Sequence, residues 1–138
     1  DVGCGSGILS IAASKLGVKR VLGLDIDPDA VRVADENARA NGVSDGVSFQ
    51  AGSIKEILDQ QGPAPLTVAN IIAPILLVLF EEGLAELILP GGRIILSGIL
   101  REQLPEILSC LRTNGFVKPQ QHQMEDWVGV IAEKSTSA

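Results

Sequence analysis

Short apolar runs that suit strands alternate with helix-period runs along nearly the whole chain, and this alternation most constrains its fold. Ser6 to Leu16 reads as a helix, with Ile8, Leu9, Ala12 and Leu16 at helical spacing and Gly17 as the stop. Arg20 to Asp25 reads as a strand. Asp27 then suits an N-cap, Pro28 the first helical position, and Gly42 the end of a helix through Val31, Ala34 and Ala38. Val47 to Ala51 is a short strand, followed by a helical turn around Ile54 to Leu58 and a loop from Gln60 to Pro65. Leu66 to Asn70 is a buried-type strand, and Pro74 to Leu89 a helix. Pro90-Gly91-Gly92 makes a tight turn into the strand Arg93 to Ser97. Leu104, Ile107, Leu108 and Leu111 mark a further helix, stopped by Asn114-Gly115.

The last two segments, Phe116 to Gln123 and Trp127 to Glu133, are too closely connected to run parallel and are expected to pair as a hairpin. Elsewhere the alternation implies an α/β fold: a mostly parallel sheet, helices on both faces, right-handed crossovers. Counting the opening residues as the end of a first strand, we expect seven strands, the closing hairpin supplying the antiparallel part. Residues 1–134 are expected to form one domain, with 135–138 as a polar tail. The chain starts at Asp1, inside an expected strand, and reads as a piece of a longer protein. Ligands of such sheets sit at the carboxyl ends of the strands, near the switch in strand order.

Composition narrows the function classes. A net charge of −6 with scattered basic residues gives no face suited to gripping phosphates, so direct nucleic-acid binding is not expected. The longest nearly apolar stretch, Val68 to Phe80, is interrupted by Asn70 and Pro74 and falls short of the roughly 20 residues of a membrane span. Cys4 and Cys110 form neither a metal cluster nor a disulfide framework, so we expect no metal and a cytoplasmic setting.

The chemistry gathers at four places. The first is Asp1-Val2-Gly3-Cys4-Gly5-Ser6-Gly7, a turn from strand into helix. Gly3, Gly5 and Gly7 let backbone approach a ligand, and the helix start favours an anionic group. A dinucleotide fingerprint G-x-G-x-x-G starting at Gly3 would need its third glycine at Ile8, and fails. The observed D-x-G-x-G-x-G resembles motif I of class I methyltransferases, whose donor carries a carboxylate and no pyrophosphate. The second place is Asp25, 20 residues beyond Gly5 at a strand end, where a carboxylate accepts hydrogen bonds from ribose hydroxyls. Asp27 is better explained as the helix cap.

The third place is Gly52-Ser53-Ile54. In the resembling family it lines the adenine, commonly with an acidic residue, and here Ser53 takes that position. Ile26 and Ile54 are candidates to flank the ring, with a plain core role nearly as apt. The fourth is Asn70, in Val68-Ala69-Asn70-Ile71-Ile72-Ala73, the candidate catalytic residue and also a donor contact. Its amide suits a substrate nitrogen; its alternative is a turn cap. The related N-P-P-[YF] motif of amide and base methyltransferases stacks an aromatic ring on a planar group. The aliphatic residues after Asn70 suit a flexible amine better. Cys4 reads as a loop filler, His122 as a surface residue, and Trp127 as the anchor of the hairpin to the core.

The runs DVGCGSGILSIAASKLG, GLDIDPDAV, VANIIA, LPGGRIILSGIL and GF…EDWVGVIAEK together resemble the bacterial methyltransferases of ribosomal protein L11. The resemblance covers nearly the whole chain. The family's fourth strand usually opens with aspartate, and this chain has Ala64-Pro65-Leu66 there. The resemblance implies a Rossmann-like class I methyltransferase domain using S-adenosyl-L-methionine, with S-adenosyl-L-homocysteine as product. It implies N-methylation of lysine and α-amino groups on the ribosomal protein, recognised through a separate N-terminal domain absent from this sequence. Donor contacts would then come from Asp1, Gly3, Gly5, Gly7, Asp25, Ile26, Ser53, Ile54 and Asn70. A glutamine-amide or RNA methyltransferase, a noncatalytic binding module and a nicotinamide-dependent oxidoreductase remain as alternatives.

Overall fold

The computed structural model describes residues 1–137 and divides into two compact units, Asp1–Ser53 and Ile54 onward. In the first, α1 (Ile8–Lys15) and α2 (Pro28–Ala40) pack on a parallel pair, β1 (Val21–Asp25) and β2 (Val47–Ala51). The opening residues run alongside the other edge of β1. Val2 forms a parallel bridge with Leu24, and the Cys4 N–H donates to the Leu24 carbonyl at 2.8 Å. Asp27 caps α2 by accepting from the Asp29 N–H at 2.9 Å, with Pro28 at the first helical position as expected. Ala34 and Ala38, the small residues on the inward face of α2, are buried.

In the second unit the order is β3-β4-β6-β5: β3 (Ala64–Asn70), β4 (Ile88–Leu100), β6 (Trp127–Lys134), β5 (Phe116–Met124). The closing hairpin is antiparallel, as its short connection requires, and β6 lies inside while β5 forms the edge. Sequence explains that choice. Val128, Val130 and Ala132 alternate inward along β6, whereas β5 buries only Phe116 and carries Pro119, which has no N–H for a ladder. Ile94, Leu96, Ile99 and Val130 are wholly buried around this ladder. Truncating one such side chain to alanine typically costs about 2–5 kcal/mol.

The expected seven-stranded, mostly parallel sheet is corrected: six strands form two sheets among the described residues, and the opening segment contributes an isolated bridge. The second sheet holds one parallel and two antiparallel pairs, because β6 inserts beside β4. The helix expected over Pro74 to Leu89 is also divided. Helix α4 (Ala73–Glu81) ends before Gly83, whose left-handed backbone (φ 103°) leads into a 3-10 turn at Leu84–Leu87. Chain released by that stop lengthens β4, which absorbs Leu89 to Gly92 as an irregularity against β3. The turn at Ile54 grows into α3 (Ile54–Gln61), and α5 (Leu104–Thr113) stands where its leucines placed it.

Trp127 is 51 % exposed and does not anchor the hairpin; the inward residues of β6 do. Of the expected tail, Ser135 donates its N–H to the Gly115 carbonyl at 2.9 Å, and Ala138 lies outside the described residues. No helix among the described residues is long and apolar enough to cross a membrane.

Candidate functional site

The first unit brings the carboxyl ends of three parallel segments together. Gly3, Gly5 and Gly7 all have positive φ, so the loop after Val2 turns through conformations that residues with a Cβ rarely adopt. At Gly7 space is limiting as well: a Cβ there would lie 2.9 Å from that of Ala34 and 3.1 Å from the Phe49 ring. The loop closes on itself through the Gly7 N–H to the Cys4 carbonyl, 2.8 Å, and Asn37 of α2 donates its Nδ2 to the Ser6 carbonyl at 2.9 Å.

Asp25 ends β1 half-buried, and its carboxylate joins two turns. Oδ2 accepts the Gly5 N–H at 3.0 Å and Oδ1 the Asp27 N–H at 3.0 Å. Each oxygen keeps lone-pair capacity for a further donor. The Asp25 carbonyl accepts the Gly52 N–H at 3.0 Å, which ties the turn carrying Ser53 to the same strand end. Ser53 is exposed. Ile26 projects from this end at 84 % exposure, so it is not core, whereas Ile54, the first residue of α3, is 5 % exposed.

Asp1 points elsewhere. Its Oδ2 accepts both the Ser10 hydroxyl at 2.6 Å and the Ser10 N–H at 3.1 Å. Ser10 is the third residue of α1, whose start lacks a side-chain cap on Gly7, so Asp1 satisfies one of the helix's unpaired donors from outside. Ile8 and Leu9 share that first turn, and the start of a helix favours an anionic group. Cys4 is buried; burial pushes its thiol pKa up, and the charge of Asp25 raises it further. A thiol so placed stays protonated at neutral pH, in keeping with a filler.

Asn70 belongs to the second unit, exposed at the carboxyl end of β3 opposite Ser97 of β4. The following Ile71 donates its N–H to the Ser97 carbonyl at 3.1 Å. Ile72 and Ile75 beyond it are 56 % and 47 % exposed, an aliphatic margin with no aromatic ring.

A family model described as ribosomal protein L11 methyltransferase (PrmA) matches residues 1–135. The chain belongs to this family. It is 43 % identical over 134 residues to the ribosomal protein L11 methyltransferase of Syntrophomonas wolfei, covering 97 % of this chain and 43 % of that protein. With the Bacillus cereus (strain AH820) protein of the same name the identity is 44 %, over 98 % of this chain and 42 % of the relative. The chain thus spans less than half the length of these relatives. Among solved structures, the ribosomal protein L11 methylase of Lactobacillus delbrueckii subsp. bulgaricus superposes with a TM-score of 0.87 at 40 % identity, covering 98 % of this chain and 68 % of that one. A Salinibacter ruber RNA methyltransferase, solved with S-adenosyl-L-homocysteine, covers 100 % of this chain and 80 % of its own with a TM-score of 0.75 at 23 % identity, and supports the fold alone. The fold is that of the α/β class I methyltransferases.

Family membership leaves residue roles to the geometry. Ser10 and Asn37 escaped the reading of the sequence, although both hold the glycine loop. The signal for Ser10 was a polar residue on the inward face of α1, which needs a partner. Asn37 gave none, since it lies 31 residues from Ser6.

Proposed function

We propose that this chain carries the donor-binding and methyl-transfer part of an S-adenosylmethionine-dependent N-methyltransferase acting on lysine and α-amino groups of ribosomal protein L11, in the cytoplasm. The observation that carries the donor reading is the Asp25 carboxylate held at 3.0 Å from the Gly5 N–H. This bond holds the glycine loop and the strand-end acid together, and the carboxylate keeps lone-pair capacity for ribose hydroxyls. The Ile8 and Leu9 N–H groups suit the donor's carboxylate, and Ile26 offers an aliphatic surface to the adenine. Ser53 completes this margin, and Asp1 contributes by anchoring the loop to α1.

Bound S-adenosyl-L-methionine supplies an activated sulfonium methyl group. What remains for the protein is orientation and proton management. Asn70 accepts a hydrogen bond from the acceptor nitrogen through Oδ1 and directs its lone pair, a contribution from positioning. A lysine acceptor, with an ordinary pKa of about 10.4, must first lose a proton, and an apolar margin such as Ile72 and Ile75 lowers that pKa by desolvation. Ribosomal protein L11 as the protein acted on is supported by the relatives' names, and an aliphatic amine as the acceptor by the lack of an aromatic ring after Asn70.

Titration calorimetry with S-adenosyl-L-homocysteine, beside NADH, tests the donor reading. Saturable binding of the first alone is expected; binding of NADH alone would overturn it.

A further inference from the structure

We propose that Gly98 is a positioning residue for the acceptor side, the floor on which the Asn70 amide and the Asn70–Ile71 turn are seated. The proposal rests on the reading of Asn70 given above. Strand β4 pairs regularly with β6 up to Leu96–Val130 and again from Ile99–Val128, so Ser97 and Gly98 together oppose the single residue Gly129. This is a β-bulge, and its two ends are pinned by Leu96 and Ile99, both wholly buried. Gly98 has φ +81°, and a Cβ there would lie 3.0 Å from Asn70 Oδ1 and 3.0 Å from both the carbonyl carbon and oxygen of Ile71. Two of the three atoms are backbone and cannot swing aside. Ser97, the neighbour in the bulge, receives the Ile71 N–H, so one irregularity binds this turn and leaves room for it.

A bulge that served the sheet alone would explain the φ of Gly98. It would not explain why the emptied side is filled by the side-chain oxygen of an exposed residue. Packing does not fix the amide of an exposed asparagine, and here the floor beneath it limits where Oδ1 can stand. Any Cβ at 98 displaces that oxygen by a few tenths of an ångström or tilts the turn, and errors of position at a reacting nitrogen cost rate steeply.

The test uses Gly98→Ala and Gly98→Asn in the protein that carries this sequence, assayed with S-adenosylmethionine and ribosomal protein L11. Asparagine tolerates a left-handed backbone yet bears a Cβ, so it separates strain from obstruction. Both variants are expected to lower kcat by about tenfold or more, with affinity for S-adenosyl-L-homocysteine within about twofold of the parent. Gly98→Ala placed on Asn70→Ala should lower kcat no further, since the two act as a unit. Parental kcat in Gly98→Asn would overturn the proposal, as would a full repeat of the Gly98→Ala loss on the Asn70→Ala background. Loss of the fold in both variants would overturn it too, making Gly98 a residue of the sheet. Unchanged kcat in Asn70→Ala alone would instead strike the underlying reading of Asn70.

Discussion

The two ends of this chain's chemistry are built differently. In the first unit the candidate donor residues sit in one contiguous loop and at the ends of two neighbouring strands, held largely by backbone N–H groups: those of Gly5 and Asp27 hold Asp25, while the N–H and hydroxyl of Ser10 hold Asp1. In the second unit the candidate group is one exposed asparagine, and its support comes from a bulge 28 positions away, at Gly98. A site made of local backbone carries a spacing that can be read. A site made by one strand's irregularity against the next carries none.

Three substitutions sharpen or break this contrast. The largest effect is expected from Asn70→Ala, with kcat falling roughly 100- to 1,000-fold, the range for one lost preorganised hydrogen bond, and donor affinity within about twofold. Equal losses in single-turnover rate and S-adenosyl-L-homocysteine affinity would erase the distinction between the two regions. Asp25→Ala comes next. A hydrogen bond to a charged group contributes about 1.5–3 kcal/mol, so calorimetry should show donor affinity weakened by roughly 10- to 150-fold. Unaltered affinity would remove Asp25 from the site.

The smallest expected effect is that of Ser10→Ala. The substitution removes a wholly buried hydroxyl donor from Asp1 and leaves the backbone N–H in place. Chemical denaturation should show about 1–2 kcal/mol of lost stability, with donor affinity lowered by less than about threefold. A collapse of donor binding at full stability would mean that Asp1 meets the ligand directly.

Much of the first unit was legible. Asp27-Pro28 announced a capped helix, and both the three glycines and the acid 20 residues later are where the structure joins them. The reading failed where a glycine stop inside an apolar run and the register of a strand decided. The run Pro74 to Leu89 is apolar enough to continue as a helix, yet Gly83 ends it and Ile88 and Leu89 join a strand. Trp127 was expected to anchor the hairpin to the core, but register turns Val128 inward instead.

Local chemistry in the sequence therefore determined the alternation of elements, the hairpin, and the loop-and-acid pair, because caps, stops and left-handed glycines act within a few residues. Tertiary structure alone decided that β6 lies between β4 and β5, that Asp1 is turned to Ser10, and that Asn70 rests on Gly98. Those outcomes depend on which strand can bury one face, which buried hydroxyl lacks a partner, and where two strands must fit one extra residue.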